Sequence, residues 1–266
     1  IARLIRSTLE RAGVGGQDLT KATANLDSHG LLVDDHEIAD VHKRPFAWPK
    51  ALAESMGLGA GKPRDLEAVV RAMKPTMLIG TSGEPGTFTE AVVREMGKHV
   101  ERPVVFPMSN PTSKSEAKPV DIMAWTEGRA LVATGSPFDP VPWGGRNIKI
   151  GQGNNAFVFP GMGLGVLISE AREVTDSMFA AAADRLAAEI HEEDLETGSL
   201  FPPVRDIRRV TAAIAESVVR EARDCGVGKP IPDSQIAELV SQTMWKPDYP
   251  ILEPTQVRAD PAFAVV

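Results

Sequence analysis

Cysteine is nearly absent from this chain of 266 residues, in which Cys225 is the sole representative. A single thiol cannot form an internal disulfide, and sparse cysteine is typical of proteins in a reducing compartment. Apolar runs of membrane-spanning length are also missing, since residues 156–168 form a run that is too short and is broken by proline and glycine. The first residues show no signal-peptide pattern. We therefore expect a cytoplasmic protein that does not enter a membrane.

An excess of basic residues is missing as well. Lys and Arg total 29 against 36 Asp and Glu, which gives a net charge of −7. A nucleic-acid-binding surface would require clustered basic residues, so we expect no nucleic-acid partner. The carboxylates of Asp121, Glu127, Asp139 and Glu173 occur singly, as solvated side chains usually do. We assign no metal ligand within this chain.

The chain begins at Ile1 inside a helical pattern, with no methionine or capping residue before it. Ala2, Leu4 and Leu9 then recur at helical spacing as far as the glycine-rich residues 13–16. A helix without a cap at its start leads us to expect that this chain is part of a longer protein.

Strand and helix signals alternate along the first part of the chain, as they do in βαβ units. The predicted strands cover residues 22–26, 76–79, 104–106 and 131–133, and the predicted helices cover residues 65–73, about 90–98 and 119–125. The run Thr87-Phe88-Thr89-Glu90 has the form of a capping box for the second of these helices. Short, continuous apolar strands favour a parallel sheet that is covered on both faces. The predicted fold class is therefore α/β, with a doubly wound parallel sheet.

The pattern changes to helices after residue 155. One predicted helical face carries Val174, Met178, Leu186 and Ile190, and another carries Ile207, Val210, Ile214 and Val218. Such stripes indicate core packing. A last helix is predicted at residues 234–244, and the proline-rich stretch from residue 246 to the end is expected to be an extended arm.

Two asparagine-containing runs lie close to predicted strands. Ser109-Asn110-Pro111-Thr112 follows the strand at residues 104–106, and Gln152-Gly153-Asn154-Asn155 precedes the apolar residues 156–168. Ligands of open α/β sheets bind outside the carboxyl ends of the strands. An asparagine amide can orient a carboxylate, a hydroxyl or another amide without adding charge. These runs therefore indicate a ligand site, although an Asn-Pro pair taken alone is also typical of a turn.

Three further runs accompany them: Trp-Thr-Glu-Gly-Arg at 125–129, Thr-Gly-Ser-Pro-Phe at 134–138 and Phe-Pro-Gly at 159–161. In order and spacing, the set resembles the cofactor-binding half of malic enzymes, the NAD(P)-dependent decarboxylating malate dehydrogenases. The resemblance extends from residue 1 to about residue 227. It implies a Rossmann-like NAD(P)-binding domain at residues 1–155, truncated at its N-terminus. A helical segment at 156–226 would close the active-site cleft, and a C-terminal helix and extended arm would occupy 227–266.

The resemblance also implies a reaction. Malic enzymes oxidise L-malate by hydride transfer to NAD(P) and release pyruvate and CO2, with Mn or Mg as Lewis acid. In the family, the metal carboxylates, the general-base Lys and the general-acid Tyr precede the cofactor loop, so we expect this chain alone to be inactive. A homodimer or homotetramer is implied for the full-length enzyme. Two alternatives stay open: a malolactic enzyme, which forms lactate, and a non-catalytic binding or oligomerisation relative.

Site residues follow from the same resemblance. It implies that malate is bound by Asn110 and by the pair Asn154 and Asn155, without deciding which of the pair contacts it. It implies that the cofactor is bound by Asp27, Ser28, Ser82, Gly83, Ser109, Asn110, Gly135, Ser136 and Asn155.

The choice of cofactor depends on Asp27, which lies at the end of a predicted strand. An acid at that place in a Rossmann pattern accepts hydrogen bonds from the ribose hydroxyls and disfavours a 2′-phosphate. His42, Lys43 and Arg44, however, lie where NADP-using malic enzymes place a phosphate-binding lysine. We expect NAD, with NADP as the alternative.

The run Gly161-Met162-Gly163-Leu164-Gly165 superficially resembles a dinucleotide-binding loop. That motif requires a third glycine at position 166, which is Val. The glycines are therefore predicted to allow close packing between helices.

Overall fold

A parallel four-stranded sheet organises the first part of the molecule in the computed structural model, which describes residues 1–246. The strands are β1 (Leu26–Asp27), β2 (Gly30–Leu31), β3 (Met77–Gly80), β4 (Val104–Pro107), β5 (Leu131–Thr134), β6 (Val141–Trp143), β7 (Arg146–Ile148) and β8 (Gly151–Gln152). The main sheet has the order β3-β4-β5-β8, with every pair parallel. The expected α/β fold is confirmed.

Helices connect and follow these strands. They are α1 (Ala2–Arg11), α2 (Gly16–Ala22), α3 (Lys50–Ser55), α4 (Leu66–Met73), α5 (Glu90–His99), α6 (Pro119–Trp125), α7 (Phe159–Ser169), α8 (Asp176–Ala188), α9 (Glu192–Glu196), α10 (Ile207–Asp224) and α11 (Asp233–Thr243). The core under the main sheet contains Val93 and Met96 from α5, Val105 from β4 and Ile122 from α6. Within the described residues, no helix is both long and apolar enough to cross a bilayer.

The strand predicted at residues 22–26 is wrong. Helix α2 continues to Ala22, and only Leu26–Asp27 pairs as a strand, in a short antiparallel hairpin with β2. The side chain of Asp27 explains the turn, because its Oδ1 accepts a hydrogen bond from the backbone N–H of His29 at 2.9 Å. Gly30 then takes φ +101°, with the carbonyl oxygen of Arg64 only 2.4 Å from where a Cβ would stand. Asp27 thus lies in a hairpin outside the main sheet.

The start of α5 also differs from the prediction. The N-cap is Thr89, whose Oγ1 accepts from the N–H of Val92 at 3.3 Å, whereas Thr87 donates to the carbonyl of Glu84. The predicted capping box is therefore wrong by two residues. Glu90 instead pairs with Arg94 one turn along the helix at 2.6 Å.

The helical part confirms the predicted stripe of α10, in which Val210, Ile214 and Val218 are fully buried. The stripe assigned to α8 is correct for Met178 and Leu186 but wrong for Val174, which is exposed and precedes the helix. Helix α11 confirms the last predicted helix. The predicted extended arm falls mainly on residues 247–266, which lie outside the described residues.

Glycines allow α7 to lie against α10. A Cβ at Gly161 would stand 2.7 Å from the Cβ of Ile214, and one at Gly165 would stand 2.7 Å from the Cβ of Val218. Gly163 has nothing within 4 Å on its side of the helix. The prediction that these glycines serve helix packing is confirmed for Gly161 and Gly165 and is wrong for Gly163.

Candidate functional site

The candidate site lies where the parallel strands end. Strands β3, β4, β5 and β8 run in the same direction, so their carboxyl ends share one edge of the sheet. The loops that follow them contain most of the predicted site residues: Ser82, Gly83, Ser109, Asn110, Gly135, Ser136, Asn154 and Asn155. This edge is where ligands of open α/β sheets bind.

Backbone hydrogen bonds hold these loops side by side beyond the strands themselves. The N–H of Met108 donates to the carbonyl of Gly80 at 2.9 Å, and the N–H of Gly153 donates to that of Thr134 at 2.9 Å. The side chain of Gln152 adds a hydrogen bond to the carbonyl of Gly135 at 3.2 Å. The loops are therefore fixed relative to one another by the sheet.

Asn110 is oriented by its neighbour on the next loop. The hydroxyl of Ser136 donates a hydrogen bond to Oδ1 of Asn110. Asn110 as a residue is exposed. Gly135 makes this approach possible, because a Cβ there would stand 2.0 Å from the carbonyl oxygen of Met108 and 3.0 Å from Nδ2 of Asn110. The hydrogen bond from Ser136 therefore fixes which end of the Asn110 amide carries the acceptor oxygen.

The two asparagines after β8 have different surroundings. Oδ1 of Asn154 accepts a hydrogen bond from the N–H of Ala156 at 2.9 Å and caps the short 3-10 turn Asn155–Phe157. Within residues 1–246, the side chain of Asn155 makes no hydrogen bond, and it is exposed. Asn154 thus has a local structural task, whereas the amide of Asn155 is available to a ligand.

Gly83 offers backbone to a ligand at close range. It takes φ +70° and has nothing within 4 Å of the position where a side chain would begin. Its N–H donates to Oγ of Ser109 at 2.9 Å, which ties the loop after β3 to the loop after β4. A glycine here allows a ligand to approach the backbone closely.

Glu116 was missed by the sequence analysis. Its side chain is fully buried and accepts hydrogen bonds from the backbone N–H and the hydroxyl of both Ser82 and Ser109. Burial by itself would raise the pKa of Glu116, but the hydrogen bonds from Ser109 and Ser82 outweigh it, so the pKa lies below its ordinary value. A glutamate between Ser115 and Ala117 gives no sequence signal that distinguishes it from a solvated one.

Asp27 and Ser28 are not on the loops that follow the strands of the main sheet. Their hairpin is in a sheet of its own, and the neighbouring core consists of residues such as Leu31 and Trp48. Nζ of Lys43 donates to Oδ2 of Asp27 at 2.7 Å. This hydrogen bond lowers the pKa of Asp27, with help from the N–H of His29, and raises the pKa of Lys43.

An open depression of about 620 Å³ adjoins two of the loops. It is lined by Thr112, Ser113, Lys118, Pro137, Phe138 and Asp139. None of the predicted site residues lines it, although Ser136 immediately precedes Pro137 and Asn110 lies two residues before Thr112. Among residues 1–246, no group of three or more His, Cys, Asp or Glu is placed to hold a metal ion. The described residues thus do not fit a Mn or Mg site of their own.

Residues 1–223 match the family model described as the malic enzyme, NAD binding domain. The chain belongs to this family. It is 42% identical over 250 residues to NAD-dependent malic enzyme 3 of Bacillus subtilis, covering 94% of this chain and 44% of that protein. It is 49% identical over 187 residues to the NAD-dependent malic enzyme of Photorhabdus laumondii, covering 70% of this chain and 33% of that protein. This chain therefore spans less than half the length of these malic enzymes.

Solved malic enzymes have the same fold. The malic enzyme of Entamoeba histolytica aligns with a TM-score of 0.60 at 24% identity, over 83% of this chain and 41% of its own. That of Pyrococcus horikoshii gives 0.59 at 22% identity, over 88% and 48%. The resemblance inferred from the sequence motifs and the Rossmann-like sheet are thereby confirmed.

Proposed function

We propose that this chain is the NAD-binding portion of a malic enzyme that converts L-malate to pyruvate and CO2. The observation that carries the proposal is the arrangement of Asn110 and Ser136 at the carboxyl edge of a sheet from this family. NAD, when bound, supplies the hydride acceptor. The domain division at 155/156 belongs to the same proposal and is supported by the change from sheet to helices between β8 and α7.

In this proposal, the residues of the chain bind and orient. The amide of Asn110, held through its oxygen by Ser136, donates to an oxygen of malate or of the nicotinamide. The free amide of Asn155 reaches malate, and Asn154 acts by capping the turn that carries Asn155. Ser82, Gly83, Ser109 and Gly135 border the cofactor. Fixed hydrogen-bond partners of this kind raise the reaction rate by keeping the reacting atoms within a fraction of an ångström of the positions that the reaction requires.

The proposal assigns the acid–base groups and the Mn or Mg ligands to residues outside this chain. Residues 1–246 offer no donor set for such a metal. We accordingly expect no malate oxidation by the 266-residue chain alone, since lost acid–base catalysis reduces rates by about 10²–10⁴-fold. A cytoplasmic homodimer or homotetramer is retained as part of the proposal for the complete enzyme.

NAD is the proposed cofactor because Asp27 offers a carboxylate to ribose hydroxyls. Its Oδ1 accepts from His29 and its Oδ2 from Lys43, so ribose binding requires Lys43 to share or release that oxygen. NADP is the alternative, in which Lys43 turns from Asp27 to a 2′-phosphate. Within the basic trio, the side chain of Lys43 donates to Asp27, whereas Nε of Arg44 donates to the carbonyl of Ile38.

The test is a product assay on the complete enzyme with L-malate, Mn or Mg, and either NAD or NADP. The proposal predicts reduced NAD and pyruvate in equal amounts. Lactate without net NADH would identify a malolactic enzyme. Binding of NAD without turnover would identify a non-catalytic relative.

A further inference from the structure

Glu116 is a buried carboxylate that contacts two loops of the candidate site. Its Oε1 accepts from the N–H of Ser82 at 2.8 Å, from the hydroxyl of Ser82 at 2.9 Å and from the hydroxyl of Ser109 at 2.5 Å. Its Oε2 accepts from the N–H of Ser109 at 3.3 Å. One carboxylate therefore satisfies donors from the loops after β3 and after β4 together.

The surroundings leave this carboxylate little freedom. A Cβ at Gly80 would stand 2.6 Å from Cδ of Glu116 and 2.7 Å from the ring of Phe88, so the strand end itself packs against the carboxylate. The charge is balanced by hydrogen bonds from neutral donors, with no basic group among these partners. A buried charge held in this way is stable only while all its donors stay in place. The position of the carboxylate and the positions of the loops therefore depend on each other.

Both loops lead directly to the proposed cofactor contacts. Ser109 immediately precedes Asn110, and Ser82 immediately precedes Gly83. The N–H of Gly83 also donates to Oγ of Ser109, so the hydroxyl that donates to Glu116 accepts from the neighbouring loop. A shift of the carboxylate would move the backbone on either side of the cofactor.

We propose that Glu116 is a positioning residue for NAD: its carboxylate sets the distance between the loops that carry Gly83 and Asn110, without touching the cofactor. This inference rests on the proposed function, because it assumes that NAD binds between these loops. The competing interpretation is that Glu116 only stabilises the fold, like any other buried and well-paired acid.

Glu116→Gln in the complete enzyme distinguishes the two. The backbone N–H of Ser82 faces Oε1 and that of Ser109 faces Oε2, so the NH2 group of a glutamine would oppose one of these two donors. The matched control is Glu189→Gln. Glu189 is a buried acid at the end of α8, paired with Arg185 at 2.6 Å and with Arg209, far along the chain from the strand-end loops.

The measurements are the melting temperature and the Kd of NAD by calorimetry. We expect both variants to melt at lower temperature, and only Glu116→Gln to weaken NAD binding, by about tenfold. Ser82→Ala should weaken NAD binding less in the Glu116→Gln variant than in the wild type, because the Ser82 hydroxyl acts through its hydrogen bond to Glu116. If Glu116→Gln is too unstable to purify, Glu116→Asp tests the same point, since it keeps the charge but withdraws the carboxylate.

Unchanged NAD affinity in a folded Glu116 variant would overturn the inference and leave Glu116 a structural acid. Equal losses of affinity in the Glu116 and Glu189 variants would overturn it as well. Failure of the proposed function would give a different result. The wild-type enzyme would then bind no NAD, or its NAD affinity would be unaffected by Ser136→Ala, independently of the result for the Glu116 variants.

Discussion

Alanine substitutions along α7 should have opposite effects on stability at neighbouring glycines. Gly161 and Gly165 face α10, where a Cβ would stand 2.7 Å from Ile214 and 2.7 Å from Val218, respectively. Gly163 faces open space, with nothing within 4 Å. The three positions share one helix and one residue type, so Gly163→Ala is a matched control for the other two.

The magnitudes follow from two opposing effects. Replacing a mid-helix glycine by alanine stabilises by about 0.5–1 kcal/mol through backbone entropy. Adding a methyl group to a tightly packed contact destabilises by about 1–3 kcal/mol. We therefore expect Gly163→Ala to raise the free energy of unfolding by about 0.5–1 kcal/mol. Gly161→Ala should be less stable than Gly163→Ala by about 1–3 kcal/mol, because the helix-propensity gain cancels in that comparison.

Thermal unfolding measures the effect directly, at about 2–4 °C per kcal/mol for a domain of this order of size. The same preparations should bind NAD with the affinity of the wild type in the case of Gly163→Ala, since these glycines are not assigned to a dinucleotide loop. Equal melting temperatures for Gly161→Ala and Gly163→Ala would refute the packing explanation. Loss of NAD affinity in Gly163→Ala would favour a phosphate-binding loop instead.

Four further substitutions test the site and the fold. Asn110→Ala in the complete enzyme should lower kcat/KM for malate by about 100-fold or more. It should change the free energy of unfolding by at most about 1–2 kcal/mol. A lower Tm with near-normal kinetics of the folded fraction would show that Asn110 is a turn residue. Asn154→Ala should cost about 1 kcal/mol of stability, because the cap of the 3-10 turn is lost. Asn155→Ala should instead raise the KM for malate and leave the Tm unchanged. A stability loss in Asn155→Ala with a raised KM in Asn154→Ala would contradict the roles assigned to the two residues. Asp35 is paired with Arg64 through two hydrogen bonds at 3.0 and 2.5 Å, and Arg64, followed by His36, holds its pKa far below the ordinary value. The folded-state pKa of Asp35 lies below the unfolded value of about 3.9, so Asp35→Asn should destabilise the protein at neutral pH. The difference in free energy of unfolding between wild type and variant should shrink as the pH falls below about 4. If urea unfolding gave the same difference across this range, the ion pair with Arg64 would be excluded as its cause.

Much of the fold was predictable because local signals agreed with tertiary structure. Helix α6 begins at Pro119, where proline is favoured at the first turn, and its bounds match the prediction. The stripe on α10 is buried as its spacing indicates. The short hairpin at Asp27 was missed because a side-chain hydrogen bond to His29 ends the strand after two residues. No pattern of apolar residues records such a turn.

The strand-end site was predicted through its motifs, but its internal order was not. The sequence placed Asn110 and Ser136 on separate loops, and only the sheet brings the hydroxyl of one to the amide of the other. It also left Asn154 and Asn155 equivalent, whereas the turn they enter assigns a cap to Asn154. Glu116 was missed because its carboxylate is satisfied in part by Ser82, which lies 34 residues earlier in the chain and comes close only through the pairing of β3 with β4.

The most direct test of the central claim is hydrogen exchange of the complete enzyme with and without NAD. NAD binding at the carboxyl edge of the sheet should slow exchange at residues 81–84, 108–112 and 134–137, and leave α8 and α11 unchanged. Slowed exchange confined to other segments, with these three loops unaffected, would contradict the claim that this edge is the cofactor site.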